Sequence, residues 1–182
     1  MEHAPSIALD LGTYMGYAIR TAGGSVVSGV EVFASRPGED TDVRFWAFRK
    51  WLIKAITQYE PKRIYYEHAS FQPGNASEVW FGWLTIIKEV RIHYGLGRQG
   101  FNAATIKLHA SGHGHAGKDR MKAAVRDLFP QLGPIDNDNQ ADALAVLYTG
   151  ECWKAGKLNR APKPTRKRKP GKRRPNPQSE LF

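Results

Sequence analysis

The chain has one cysteine among 182 residues, Cys152. No disulfide can therefore close within it, and a cysteine-rich zinc motif is excluded. It has no run of about 18 apolar residues, which excludes a membrane-spanning helix. Its first residues, Met1 to Pro5, lack the basic and apolar regions of a secretion signal, and a cytoplasmic location in a bacterial or phage-infected cell is the expectation. Acidic residues are the scarcer charge: 17 Asp and Glu stand against 27 Lys and Arg, a formal net charge of +10. Acids found inside apolar runs of so basic a chain call for an explanation.

The excess charge is concentrated at one end. From Arg160 to Phe182 nine cations face one acid, Glu180, which leaves the rest of the chain only weakly basic. That segment holds Arg166, Lys167, Arg168, Lys169, Lys172, Arg173 and Arg174, broken by Pro162, Pro164, Pro170, Pro175 and Pro177. Such a composition cannot build a core and is expected to be a disordered tail. Its charge fits a polyanion, and nucleic acid is the commonest. The expected organisation is one domain over residues 1–158 and a basic tail over 159–182. With 41% hydrophobic residues the first part can bury a core.

Apolar runs over Ser6–Leu11, Gly16–Arg20 and Val26–Phe33 read as three antiparallel strands, with Gly23-Gly24-Ser25 as a hairpin signal. Helical spacing follows over Asp42–Tyr59, then a fourth strand over Arg63–Ala69 and a long helix over Ala76–Tyr94. Ala104–Ala110 alternates like a fifth strand. A Gly- and His-rich loop, Ser111–Gly117, precedes helices over Lys118–Phe129 and Asp138–Trp153. The order β-β-β-α-β-α-β-α-α predicts an α/β fold with a mixed five-stranded sheet flanked by helices.

Four acids stand where this topology can bring them together. Asp10 ends the apolar strand Ile7-Ala8-Leu9, and Glu67 sits likewise after Ile64-Tyr65-Tyr66. A charge there is costly unless something pairs with it. Strands one and four are expected to be neighbours. Asp138 and Asp142 lie four apart at the start of the last helix and share one face. Asp136 is the favoured cap of that helix. A divalent cation would offset the cost of all four carboxylates, and two Mg²⁺ ions about 3.5–4 Å apart can activate water and stabilise a leaving oxygen in phosphodiester hydrolysis. Asp10 is the natural bridging ligand. His109, His113 and His115 have no cysteine partners and lie among glycines, which argues against zinc.

Ile7-Ala8-Leu9-Asp10-Leu11-Gly12-Thr13 with Gly16-Tyr17-Ala18, then Ile64-Tyr65-Tyr66-Glu67, then Asn139-Gln140-Ala141-Asp142-Ala143-Leu144-Ala145, resemble the three acidic blocks of RuvC-type Holliday-junction resolvases, especially phage-type ones. The resemblance implies an RNase H-like fold, a homodimer, Mg²⁺ (with Mn²⁺ as a substitute), and paired nicks that leave 5′-phosphate and 3′-hydroxyl ends. The family's carboxylates carry over to Asp10, Glu67 and Asp142. Its fourth acid stands three residues before the last Asp, where this chain has Asn139. Asp138, four before, takes that role here, with Asn139 as the alternative ligand. Gly114-His115-Ala116-Gly117-Lys118 resembles the loop that brings a lysine to the scissile phosphate. Lys118 is thus a catalytic candidate, and Arg120 and Lys122 are outer backbone contacts. The family places an aromatic just after its second acid, which makes Phe71 a candidate to stack on a base.

The helix over Ala76–Tyr94 is apolar nearly all round, so one side is expected to meet a partner subunit through Trp80, Trp83, Leu84 and Ile87. The end of the tail, Gln178-Ser179-Glu180-Leu181-Phe182, resembles peptides that dock on bacterial sliding clamps, with Gln178, Leu181 and Phe182 as contacts. The expected function is a metal-dependent endodeoxyribonuclease for four-way junctions, with forks and flaps as further branched substrates. Two other readings share much of this sequence: an RNA-processing nuclease of the same fold, and a non-catalytic branched-DNA-binding protein tethered to a clamp. A sugar-kinase-like phosphate loop at Asp10-Leu11-Gly12-Thr13 lacks the second domain such proteins need.

Overall fold

The protein is described by a computed structural model over residues 4–68 and 75–158. Phe71, the cationic tail from Arg160 and the terminal peptide lie outside the described residues. The elements run β1 (Ser6–Asp10), β2 (Tyr14–Arg20), β3 (Val26–Val32), α1 (Val43–Tyr59), β4 (Arg63–His68), α2 (Asn75–His93), β5 (Gly97–Asn102), α3 (Ala103–Ser111), α4 (Lys118–Leu128) and α5 (Asp138–Lys154), with a short 3₁₀ turn at 130–132 before α5. One sheet holds all five strands in the order β3-β2-β1-β4-β5. β1, β2 and β3 pair antiparallel, while β4 and β5 continue parallel to β1. This is the expected mixed sheet, with β1 and β4 as central neighbours.

Strand alternation divides the core into two layers. Ile7, Leu9, Met15, Ile19, Ile64 and Tyr66 face α1 and α2, where Phe48, Leu52, Trp83 and Ile87 close over them. Ala8, Ala18, Tyr65 and Phe101 face α3, α4 and α5, against Ile106, Val125 and Leu144. The first layer is aromatic and bulky: the Trp83 ring meets Phe33, Phe45 and Phe48 with centroids 5.0–5.7 Å apart. The second is lined with alanines, which lets α5 lie close to the strands.

Three sequence expectations change here. The fifth strand is Gly97–Asn102, and the segment read as that strand is α3. Asn102 Oδ1 accepts hydrogen bonds from Thr105 N at 2.8 Å and Thr105 Oγ1 at 2.7 Å, which starts a helix at Ala103. Ile106 and Ala110 then bury one face, and Gly112 ends the helix with φ 74°. β5 carries little β propensity, and backbone pairing with β4 holds it in the sheet. Its Gly100 is required because a Cβ there would collide with the His68 and Tyr66 rings.

The cap of α5 is Asn137, not Asp136. Its side chain accepts from Asn139 N and Gln140 N, while Asp136 pairs with Arg126 at 2.7 Å. Finally, Trp83, Leu84 and Ile87 are buried inside this chain, and Trp80 packs against the same cluster. The apolar girdle of α2 is met by the sheet on one side and α1 on another: Trp83, Leu84 and Ile87 are covered within this chain, while Trp80 stays half-buried. The large side chains this layer leaves exposed include Trp46 on α1 and Phe81 on α2.

α5 crosses the sheet at two glycines. A Cβ on Gly16 would overlap the backbone oxygen of Asn139, and one on Gly150 would overlap the Tyr65 ring. Gly16→Ala is expected to force the first turn of α5 off β2 and cost about 1–3 kcal/mol, the range for overpacking a filled core. Urea unfolding reads this as a lower midpoint at unchanged slope. An unchanged midpoint would mean that α5 does not need this contact.

Candidate active site

The parallel register of β1 and β4 decides where the acids point. Ala8 pairs with Tyr65 and Leu9 with Tyr66, so Asp10, last in β1, and Glu67, next to last in β4, both lie on the layer that faces α5. Asp10 is also the cross-strand partner of Gly16, the residue on which Asn139 rests. The first turn of α5 is thereby held over the strand ends, with Asp138 and Asp142 one turn apart. Four acids from three distant parts of the sequence are brought to one end of the sheet, near enough for their charges to act on one another.

Their electrostatics divide into two kinds. Burial raises the Asp10 carboxyl to about 7, and the charges of Asp142 and Glu67 push it the same way. Burial likewise raises Glu67 to about 7, reinforced by Asp142 and opposed by Lys107. Asp142 is raised by burial and by Asp138, against Lys107 and Lys118. Asp138 behaves oppositely: hydrogen bonds from Lys118 and Lys122 hold it below the usual carboxylate range. The distances are 2.8 Å from Lys118 Nζ to Oδ2 and 3.0 Å from Lys122 Nζ to Oδ1.

The cations come from α3 and α4. Lys118 opens α4 directly after Gly117 and is largely exposed. Lys122 lies on the same face of α4 one turn on. Arg120, read as a backbone contact, reaches the Ser111 carbonyl at 3.5 Å. Lys107 on α3 is a residue the sequence reading missed. Its charge acts on both Glu67 and Asp142. Reading Ala104–Ala110 as a strand hid it, and the signal that could have found it was the Asn102–Thr105 cap. The His113 ring meets the Gly112 carbonyl at 2.7 Å. Among the described residues, no three His, Cys, Asp or Glu side chains stand already gathered as a metal-binding group.

The donor set suits a hard dication in kind. It is made of carboxylate oxygens, partly withdrawn from water, whose charges oppose one another until a cation joins them. The arrangement can hold a dication near an anionic ester, with lysines beside it to meet phosphate oxygens.

No family model matches the chain. It is 30% identical over 99 residues to the crossover junction endodeoxyribonuclease RuvC of Rickettsia prowazekii, and equally to that of Rickettsia bellii. The matched segment is 54% of this chain and spans 63% of the length of those relatives. Among solved structures, Thermus thermophilus RuvC in complex with a Holliday junction substrate superposes with a TM-score of 0.72 at 20% identity, over 85% of this chain and 98% of that one. The yeast mitochondrial Holliday junction resolvase superposes with a TM-score of 0.55 at 14% identity, over 84% of this chain and 80% of that one. Over those 99 residues in sequence, and over most of its length in fold, the chain is similar to the RuvC crossover junction endodeoxyribonucleases.

Proposed function

We propose that the chain is a metal-dependent endonuclease that cuts branched DNA, with four-way junctions as its main substrate. The observation that carries this reading is that Asp10, Glu67 and Asp142 lie on one side of the sheet, all raised by burial, with the charge of Asp142 raising both Asp10 and Glu67. Those three would hold Mg²⁺ or Mn²⁺. When bound, the metal supplies an activated water and charge stabilisation on the leaving oxygen. Asp10, on β1 between β4 and the α5 crossing, would be the central carboxylate of the three. Lys107 and Lys118 offset the carboxylates' charge and offer ammonium groups to the phosphate. Phosphodiester hydrolysis of this kind leaves a 5′-phosphate and a 3′-hydroxyl.

Two copies would match the two equivalent strands of a four-way junction. A partner on the α1–α2 layer would meet Trp46 and Phe81, since Trp83, Leu84 and Ile87 are buried in the chain itself. The cationic tail would add sequence-independent phosphate contacts, Phe71 a stacking contact, and the terminal peptide a tether to a sliding clamp.

With a labelled four-way junction and Mg²⁺, the wild type should give paired, symmetric nicks. Asp10→Asn, Glu67→Gln and Asp142→Asn should each abolish cutting while still shifting the junction in a gel. Binding without cutting by the wild type in either Mg²⁺ or Mn²⁺ would contradict the nuclease reading.

The raised carboxyls also set a pH dependence. Asp10 and Glu67 keep their protons in the folded chain at pH values where an unfolded chain has lost them. Their contribution to stability is therefore fully present below about pH 4 and is lost as pH rises through about 7. In metal-free buffer the urea midpoint should fall between pH 5 and 8, and Asp10→Asn should flatten that fall. Added Mg²⁺ should raise the midpoint more at pH 8 than at pH 6, because it competes with fewer protons. A midpoint independent of both pH and Mg²⁺ would contradict the reading of these carboxyls.

A further inference from the structure

Asp138 differs from its three neighbours in how its oxygens are used. Oδ2 accepts from Lys118 at 2.8 Å and Oδ1 from Lys122 at 3.0 Å, so both ends of the carboxylate are engaged. Asp10, Glu67 and Asp142 form no such ion pair among the described residues. Asn137 already accepts from the free N–H groups of Asn139 and Gln140, which leaves the Asp138 side chain to face α4 and not its own helix end. Lys118 and Lys122 lie four apart on α4 and so share a face. Lys122 is held further, 4.0 Å from Asp119, and its side chain is only 23% exposed against 79% for Lys118. One carboxylate thus joins the start of α4 to the start of α5 and holds two ammonium groups, of which Lys118 also acts on Asp142. A dication seeking Asp138 as a ligand would have to break one of these ion pairs and approach two like charges.

We propose that Asp138 is a positioning residue and not a metal ligand: it anchors Lys118 and Lys122 at the mouth of the carboxylate cluster, where their free N–H donors meet a phosphate of the strand to be cut. The inference rests on the nuclease reading for its substrate. It departs from the sequence expectation, which placed Asp138 among the ligands on its spacing from Asp142 and on resemblance to the family's fourth acid. Helical spacing places Asp138 and Asp142 on one face, but α4 lies beside the first turn of α5 and captures only Asp138.

The test separates a ligand from an anchor. Full-length wild type, Asp138→Asn and Asp142→Asn are titrated with Mn²⁺ by calorimetry. Asp138→Asn should keep its Mn²⁺ affinity within about threefold, whereas Asp142→Asn should lose at least the roughly 10–100-fold typical of disturbing a metal site. Junction cleavage by Asp138→Asn, by the Lys118→Met/Lys122→Met variant and by the triple variant is then compared. Asp138→Asn should lower kcat about tenfold with KM unchanged, and the triple variant should be no slower than the two-lysine variant, because an anchor acts only through what it anchors. A loss of Mn²⁺ affinity in Asp138→Asn as large as in Asp142→Asn would overturn the proposal, and so would a further loss of cutting in the triple variant. If the wild type binds Mn²⁺ but cuts no junction, the nuclease reading fails, while the calorimetry still decides the role of Asp138.

Discussion

A side chain at Gly16 would occupy the place of the Asn139 backbone oxygen, and one at Gly150 the place of the Tyr65 ring. Most of the site follows from that pair of close approaches. They let α5, an alanine-lined helix, lie directly on β1, β2 and β4, with Ala141, Ala143 and Ala145 wholly or almost wholly buried. Gly16 is also the cross-strand partner of Asp10. The helix therefore lies close on the sheet beside its half-buried acid. Packing, which governs stability, and carboxylate placement, which governs chemistry, rest on the same contact.

The cost of that placement is electrostatic. Asp10, Glu67 and Asp142 are partly drawn from water, and burial raises all three carboxyls, helped by Asp142 and Glu67 at Asp10, by Asp142 at Glu67 and by Asp138 at Asp142. A fold gains nothing in stability from gathering them so. Such an arrangement is accounted for by a partner that is cationic and binds when the site works. Around it, Lys107, Lys118 and Lys122 bring positive charge from α3 and α4. The site is therefore graded: carboxylates at the sheet, ammonium groups at the rim. That order suits a dication held inside and a phosphate arriving from outside.

Much of this was legible in the sequence because it depends on short-range pattern. An acid ending an apolar strand reads as a costly charge wherever it occurs, and Asp10 and Glu67 both do so. The β1–β4 adjacency followed from element order. The parts that were not legible depend on contacts between distant segments. Gly97–Asn102 has almost no strand signature, because its place is set by β4. The alternation of Ala104–Ala110 imitates a strand until the Asn102 side chain caps it, and with that misreading went Lys107. Trp83, Leu84 and Ile87 looked like a surface awaiting a partner. Sequence alone does not show that α1 turns its own Phe45 and Phe48 onto Trp83. Asp138 and Asp142 look equivalent by spacing, and only the position of α4 separates them.

The most direct measurement is anomalous diffraction from crystals of the full chain soaked in Mn²⁺. The account predicts Mn²⁺ bound among the carboxylates of Asp10, Glu67 and Asp142, with Lys118 and Lys122 still paired to Asp138. Crystals that take up no Mn²⁺ at these three carboxylates, under conditions in which the protein remains folded, would contradict it.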